Sequence, residues 1–284
     1  MQHRRQGLGV RTVLLATVLL LVAAGAALAA GSAPVRGGTL NVGMEADWPT
    51  LDPLGMGALS DRQAAQSIYD TLLEMDEHGH IVPNLAEITH VSPDAKSYRI
   101  KVRAGVRFHD GTPLDAKAVV FNFKRLLDPA NHCRCTADLS SIADVVATGP
   151  LEVEFRMKEP FAPLPAVLAD VSGMMISPTA VQKEGKDYGA HPVGTGPFVF
   201  KEWKRGNYML AVRNPNYWKP GQPYLDSVYY RPMPDEQTRM AALTAGNIDI
   251  YQVPAARDLN EALHSGDQGP SGLQVVDAGS LGTV

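Results

Sequence analysis

An alternating strand followed by a capped amphipathic helix constrains the fold of this chain more than any other feature. Residues 98–102 alternate apolar and basic side chains, which is the period of a half-buried strand. After a polar turn at 108–111, Thr112 is predicted to cap a helix, with Pro113 in the first position and Asp115 completing a capping box. The apolar face of that helix consists of Val119, Val120, Phe123, Leu126 and Leu127.

Strands and helices are interspersed along the rest of the chain. Predicted strands lie at 39–44, 151–155, 198–200, 210–212, 227–230 and 248–250. Predicted helices lie at 60–73, 177–185 and 235–245, with Ser60, Ser177 and Asp235 at their starts. An apolar fraction of 45% and a charged fraction of 20% suit a globular protein with an ordinary core.

The N-terminus has a composition of its own. Basic residues up to Arg11 precede an apolar run at 13–28, and Ala27-Leu28-Ala29 supplies the small-x-small pattern that signal peptidase requires. We therefore predict a signal peptide at 1–29, with an uncleaved membrane anchor as the alternative. Cleavage would remove three arginines and no acid, so the net charge of −4 would become −7, which disfavours nucleic-acid binding.

The two cysteines, Cys133 and Cys135, have only Arg134 between them. Export permits a disulfide, although a bridge across one residue is expected to be strained. His132 beside them would add a third metal ligand, but three ligands this close rarely close a tetrahedral site and no second cluster follows. A structural role without a bridge, a disulfide and a metal contact remain as alternatives, and no metal site is predicted.

Motifs of enzymes and cofactor sites are absent from the sequence. It contains no His-Glu-x-x-His, no phosphate loop and no Gly-x-Ser-x-Gly elbow. Gly194-x-Gly196 lacks the third glycine of a dinucleotide site and precedes a strand rather than a helix. His109-Asp110 is interpreted as part of a polar turn rather than as an acid–base pair. We predict no catalytic residue, no cofactor and no enzymatic activity.

The block from Tyr98 to Leu127 closely resembles the hallmark of the family 5 extracellular solute-binding proteins, which include dipeptide, oligopeptide and nickel binding proteins. Further stretches resemble the family in the same order. They are Leu51-Asp52-Pro53, residues 192–198 (PVGTGPF), residues 214–218 (NPNYW) and residues 243–250 (LTAGNIDI).

The resemblance implies an α/β, periplasmic-binding-protein-like fold with two lobes around a cleft and an inserted subdomain in the first lobe. Mapped onto this sequence, 36–58 and 189–256 form the first lobe and 59–188 form the insert. Residues 257–284 would begin a second lobe, most of which the family places beyond Val284.

The resemblance also implies a function and partners. We expect an extracytoplasmic or periplasmic monomer that delivers a di- or oligopeptide-like ligand to an ABC permease complex. Nickel chelates, opines, glutathione and oligosaccharides are alternative ligands. A secreted hydrolase, or a chaperone or signalling receptor, represents the other classes of function.

Three groups of candidate ligand-binding residues follow from the family positions. The first group follows the first strand, where the family's cleft floor begins, and consists of Glu45, Ala46, Asp47 and Trp48. An exposed Trp48 would offer a stacking wall. The alternative is that Trp48 packs under its own loop. Thr195 and Gly196 lie near the same cleft, with a hinge or backbone role as the alternative. His132 and Arg134 would reach the rim of the cleft from the insert.

Overall fold

The computed structural model describes residues 34–251, so the predicted signal peptide and the predicted start of the second lobe lie outside the described residues. Contacts divide the chain after Arg36, and the described helices and strands belong to the unit that begins at Gly37. Its helices are α1 (Leu59–Ile68), α2 (Ala116–Leu127), α3 (Leu164–Leu168), α4 (Pro178–Glu184) and α5 (Glu236–Thr244). Its strands are β1 (Thr39–Met44), β2 (Leu73–Met75), β3 (Ile81–Pro83), β4 (Ala86–Val91), β5 (Ser97–Val102), β6 (Ile142–Ala147), β7 (Glu152–Met157), β8 (Phe198–Lys204), β9 (Tyr208–Arg213), β10 (Ser227–Pro232) and β11 (Ile250–Tyr251).

A five-stranded mixed sheet carries the segments from both ends of the described chain. Its order is β11-β1-β10-β9-β8, and β1 runs parallel to both of its neighbours. β9 is antiparallel to β10 and to β8. Val42 and Met44 of β1 point to the same face because side chains alternate along a strand, and both are buried. Because β1 runs parallel to β10 and to β11, the carboxyl ends of these three strands meet at one edge of the sheet.

A four-stranded antiparallel sheet forms a second centre, in the order β4-β5-β7-β6. The alternation predicted at 98–102 is confirmed, since Tyr98, Ile100 and Val102 are all buried. Helix α2 packs its apolar face on this sheet, and the rings of Phe123 and Phe155 meet edge to face with centroids 4.8 Å apart. β2 and β3 make a separate two-stranded ribbon.

Each main sheet has its own cluster of buried apolar residues. Ala64, Ala65 and Ile68 of α1 belong to the core of the five-stranded sheet, as does Ala180 of α4. Sequence reasoning assigned both helices to the insert at 59–188. That division stays a prediction, and the packing favours an insert that begins after α1 and ends before α4.

The predicted helix at 60–73 is wrong at both ends. Helix α1 starts at Leu59, and the carboxylate of Asp61 accepts hydrogen bonds from the N–H groups of Gly57 and Ala58, each at 2.9 Å. Ser60 is therefore inside the helix and is not its cap. The chain becomes extended at Tyr69, so the residues after it, taken as helical from their spacing, lie in other structures.

The predicted cap of α2 is also wrong, although the helix itself is confirmed. Asp115 is the N-cap, and its carboxylate accepts a hydrogen bond from Ala118 N–H at 2.9 Å. The hydroxyl of Thr112 instead donates to Asp110 at 2.6 Å. Arg107 and Pro113 form an isolated antiparallel bridge that keeps this stretch extended.

Two shorter helices agree with their sequence signals. Ser177 caps α4 through a 3.2 Å hydrogen bond from Ala180 N–H, and Gly185 ends it with a φ of +56°. Asp235 caps α5 through a 2.7 Å hydrogen bond from Thr238 N–H. In both cases the cap precedes the first turn directly, so the local signal has one interpretation.

Candidate functional site

The carboxyl edge of the parallel strands is the expected location of a ligand site, because ligands of open α/β sheets bind outside the carboxyl ends of their strands. β1 ends at the buried Met44, and the next two residues, Glu45 and Ala46, are exposed. The backbone of Met44 is fixed to the segment after β10, since Met233 N–H donates to Met44 O at 2.7 Å. The exposed carboxylate of Glu45 is thus presented at the edge of the sheet.

Asp47 has a role that sequence reasoning missed. Its carboxylate accepts hydrogen bonds from Trp203 Nε1 at 3.0 Å and from Gly206 N–H at 2.6 Å. Both donors belong to the β8–β9 hairpin, and the guanidinium of Arg205 stacks on Trp203 at 4.1 Å from the ring centre. Asp47 therefore ties the loop after β1 to this hairpin.

Trp48 does not form an exposed wall. Its side chain is 1% exposed, and Nε1 donates to Ser60 O at 3.1 Å. The indole makes edge-to-face contacts with Trp203 and Tyr230 at centroid distances of 6.1 and 6.0 Å. The expectation of an exposed stacking ring is wrong. Trp48 is buried, as the alternative of packing under its own loop requires, but its partners also include Trp203 and Tyr230.

Thr195 and Gly196 lie where the chain returns from the four-stranded sheet. Thr195 is 1% exposed, and its hydroxyl accepts a hydrogen bond from Asp70 N–H at 3.3 Å. Gly196 N–H donates to Ile68 O at 2.9 Å. A Cβ on Gly196 would lie 2.5 Å from the carbonyl carbon of Ile68, so only glycine permits this backbone approach. These contacts support the backbone role that was the alternative to ligand binding.

His109 completes the same junction from the turn before α2. Burial lowers the pKa of His109, so the neutral ring is favoured. Nε2 lies 2.9 Å from Gly196 O, which can only accept, so Nε2 carries the proton. Nδ1 then accepts from Gly194 N–H at 3.4 Å. This is the geometry of a structural histidine, in agreement with the interpretation of His109-Asp110 as a turn.

His132 and Arg134 are exposed, and the structure places Arg134 against the loop that follows β1. Arg134 N–H donates to Leu54 O at 2.9 Å. A Cβ built on Gly57 would lie 2.8 Å from Arg134 Cζ, so the guanidinium covers that glycine. His132 has a left-handed backbone with a φ of +50°. Among the alternatives for the cysteines, the structure has the Cys133–Cys135 disulfide, with the Cα atoms 5.2 Å apart.

Two polar clusters were not anticipated from the sequence. The buried carboxylate of Asp70 accepts from Tyr217 Oη at 2.9 Å and from Trp218 Nε1 at 2.8 Å. Burial raises the pKa of Asp70 to about 6, although these hydrogen bonds oppose the shift. Asp52, after β1, forms a two-pronged ion pair with Arg125 of α2 at 2.9 and 2.5 Å. Both clusters join the two sheets.

An open cavity of about 640 Å³ lies elsewhere, between the loop after β5, the start of α2 and the β6–β7 turn. None of the predicted site residues lines it. Within residues 34–251, no group of three or more His, Cys, Asp or Glu is arranged to hold a metal ion. In the same part of the chain, every helix is too short or too polar to cross a membrane.

Comparisons with known proteins agree with this arrangement. The family described as "Bacterial extracellular solute-binding proteins, family 5 Middle" matches residues 80–277. The glutathione-binding protein GsiB of Shigella flexneri is 37% identical over 214 residues, which cover 75% of this chain and 42% of that protein. GsiB of Escherichia coli strain K12 has the same identity and coverage.

Solved structures show the same fold. The periplasmic binding protein AgaA from A. tumefacien R10, in complex with agropinic acid, superposes with a TM-score of 0.75 at 32% identity, over 81% of this chain and 47% of AgaA. The oligopeptide-binding protein AppA of Bacillus subtilis, in complex with a nonapeptide, gives 0.73 at 29%, over 81% and 47%. This chain spans a little under half the length of these proteins. The periplasmic-binding-protein fold expected from the sequence is confirmed.

Proposed function

This chain belongs to the bacterial extracellular solute-binding proteins of family 5, and we propose that it serves as the ligand-binding component of an ABC importer. The observation that carries the proposal is the edge of the five-stranded sheet where β1, β10 and β11 end together. Glu45 and Ala46 stand exposed at that edge, while Asp47 and Trp48 are committed to holding their loop in place. Such an edge can form one wall of a ligand cleft.

The proposed ligand is a short peptide or a peptide-like molecule. AppA was solved with a nonapeptide, and the Helicobacter pylori protein DppA, at 28% identity, with the peptide STSA. GsiB is named for glutathione, which is itself peptide-like, and AgaA holds agropinic acid. An open main-chain segment with a carboxylate at Glu45 suits an extended ligand that carries an amino group. Glutathione and opines are the favoured alternatives, ahead of nickel chelates and oligosaccharides.

The proposed place of work is outside the cytoplasm. Residues 1–29 support this proposal, because basic residues, an apolar run and small residues follow one another there as in a signal peptide. This order predicts cleavage near Ala29. The partner would be an ABC permease complex, and the protein would act as a monomer without turning over its ligand. N-terminal sequencing of the exported protein tests the cleavage, and a chain that still begins at Met1 would contradict it.

The ligand is tested by mass spectrometry of what co-purifies with the full-length protein, followed by calorimetry. The titrants are the tetrapeptide Ser-Thr-Ser-Ala, glutathione and agropinic acid. We expect at least one peptide-like titrant to bind without being consumed. Glu45→Gln should weaken that binding, whereas Glu77→Gln, in an exposed turn beside β2, should leave it unchanged. Hydrolysis of a titrant that follows the pure protein, or no binding of any titrant, would refute the proposal.

A further inference from the structure

A buried arginine lies behind the candidate site. Arg239 of α5 is 3% exposed, and no carboxylate lies within ion-pair distance of it in the part of the chain that the structure describes. Burying a guanidinium without an ion pair is unfavourable, because the charge loses its hydration. An apolar side chain of similar size would fill the same space without that cost. The hydrogen bonds of Arg239 offset it, together with the ring of Tyr251, whose centre lies 5.6 Å from the guanidinium carbon.

Those hydrogen bonds go to two consecutive backbone carbonyls. Nη1 donates to Met233 O and, at 3.0 Å, to Pro234 O. Both carbonyls lie in the segment that joins the end of β10 to α5. Hydrogen bonds from a charged donor are stronger than neutral ones, and the rigid guanidinium fixes the direction of both carbonyls.

The same segment holds the end of β1. Met233 N–H donates to Met44 O at 2.7 Å, and Met44 is the residue directly before Glu45. The stem of Arg239 also lies over Gly43, where a Cβ would be 3.6 Å from Arg239 Cδ. One side chain therefore lies beside Gly43 near the end of β1 and is linked to Met44 through Met233.

We propose that Arg239 is a positioning residue for ligand binding, which sets the backbone of Glu45 and Ala46 by clamping the segment after β10. This inference rests on the proposed function for its binding readout, because it assigns no ligand contact to Arg239 itself. It also predicts a local effect on backbone protection that can be measured without any ligand.

The chain offers a matched control at the opposite end of β10. Arg213 also clamps two consecutive carbonyls, with Nε 2.9 Å from Leu225 O and Nη2 2.7 Å from Tyr224 O. That clamp lies before β10 begins, at the edge of the sheet remote from Glu45. Arg213 also forms an ion pair with Asp226 at 2.7 Å, so its loss removes at least as many polar contacts as the loss of Arg239. Only Arg239, however, acts on the end of β1.

The experiment compares Arg239→Gln, Arg239→Lys and Arg213→Gln in the full-length protein. Hydrogen exchange is followed by mass spectrometry without ligand, and calorimetry uses Ser-Thr-Ser-Ala and glutathione. In Arg239→Gln we expect amide exchange at Met233 and in residues 45–48 to become about tenfold faster, and the Kd to rise about tenfold. Arg239→Lys should restore part of both, since it keeps one charged donor.

In Arg213→Gln we expect faster exchange near residues 224–227 and an unchanged Kd. The inference is overturned if Arg239→Gln and Arg213→Gln lower the melting temperature equally and both leave the Kd unchanged. It is also overturned if binding weakens in Arg239→Gln while exchange in 45–48 stays the same. If the wild type binds neither these two titrants nor agropinic acid, the proposed function fails, and the exchange result alone decides whether the clamp exists.

Discussion

The ion pair between Asp52 and Arg125 makes a quantitative prediction about how the two sheets are joined. The side chains are 14% and 13% exposed, and two hydrogen bonds of 2.9 and 2.5 Å connect them. Removing one partner of a buried pair costs about 3–5 kcal/mol, because the other charge stays buried. The pair is partly exposed, and Asp52 keeps a hydrogen bond from Leu54 N–H when the arginine is removed. We therefore expect Arg125→Met to lower the free energy of unfolding by about 2–3 kcal/mol.

Thermal denaturation followed by circular dichroism measures this cost. A domain of this size loses about 2–4 °C of melting temperature per kcal/mol, so Arg125→Met should melt about 5–10 °C lower. The double variant Asp52→Leu/Arg125→Met should recover much of the loss, because no buried charge remains. Arg156→Met is the control, since its ion pair with Glu154 is 54% exposed on the arginine side and should contribute little.

The reasoning is refuted if Arg125→Met costs no more than Arg156→Met. It is equally refuted if the double variant is less stable than Arg125→Met. The first result would mean that the ion pair contributes little to joining α2 to the loop after β1. The second would mean that Asp52 stabilises its loop mainly through contacts other than Arg125, such as the hydrogen bond from Leu54 N–H.

Three further predictions concern Asp70, the cap of α2 and the return from the insert. The folded-state pKa of Asp70 is raised from 3.8 to about 6, so the stability that its protonated form contributes is present below pH 3.8 and is lost as the pH rises through 6. Melting curves against pH should show that the wild type loses about 3 kcal/mol over this window relative to Asp70→Asn. Asp115→Ala should cost about 1 kcal/mol in urea denaturation, and a larger loss in Thr112→Ala would favour Thr112 as the cap instead. Gly196→Ala should cost about 1–3 kcal/mol through its clash with backbone, whereas Gly149→Ala, with its nearest neighbour a side chain at 3.3 Å, should melt near the wild type.

Local signals in the sequence predicted those elements whose boundaries are set locally. Helix α4 is an example, because Ser177, Pro178 and Gly185 each have one suitable position around it. The start of α2 was ambiguous, since both Thr112 and Asp115 can cap a helix. The bridge between Arg107 and Pro113 decided between them, and a bridge of this kind has no signal at the level of single residues.

The candidate site was harder to predict, because its geometry depends on contacts between distant parts of the chain. Trp48 follows a strand and precedes a helix, and nothing local shows that Trp203 and Tyr230 will enclose it. Asp70 is bound by Tyr217 and Trp218, which lie far along the sequence. Glu45 was proposed from its family position after the first strand, and its exposure agrees with that proposal.

The hydrogen bonds at Thr195 and Gly196 place the two ends of the segment between α1 and β8 side by side. Ile68 and Asp70, where the chain leaves α1, bond to residues 125 or more positions later in the sequence. A segment whose ends are adjacent can be exchanged or removed with a short linker, because the host fold then needs no rearrangement. Met175 N–H also donates to Asp70 O at 3.0 Å, so the ends of the part that precedes α4 are adjacent as well. That part, between Asp70 and Met175, can therefore be treated as a transplantable module, and chimaeras that swap it between relatives would be joined at these two residues.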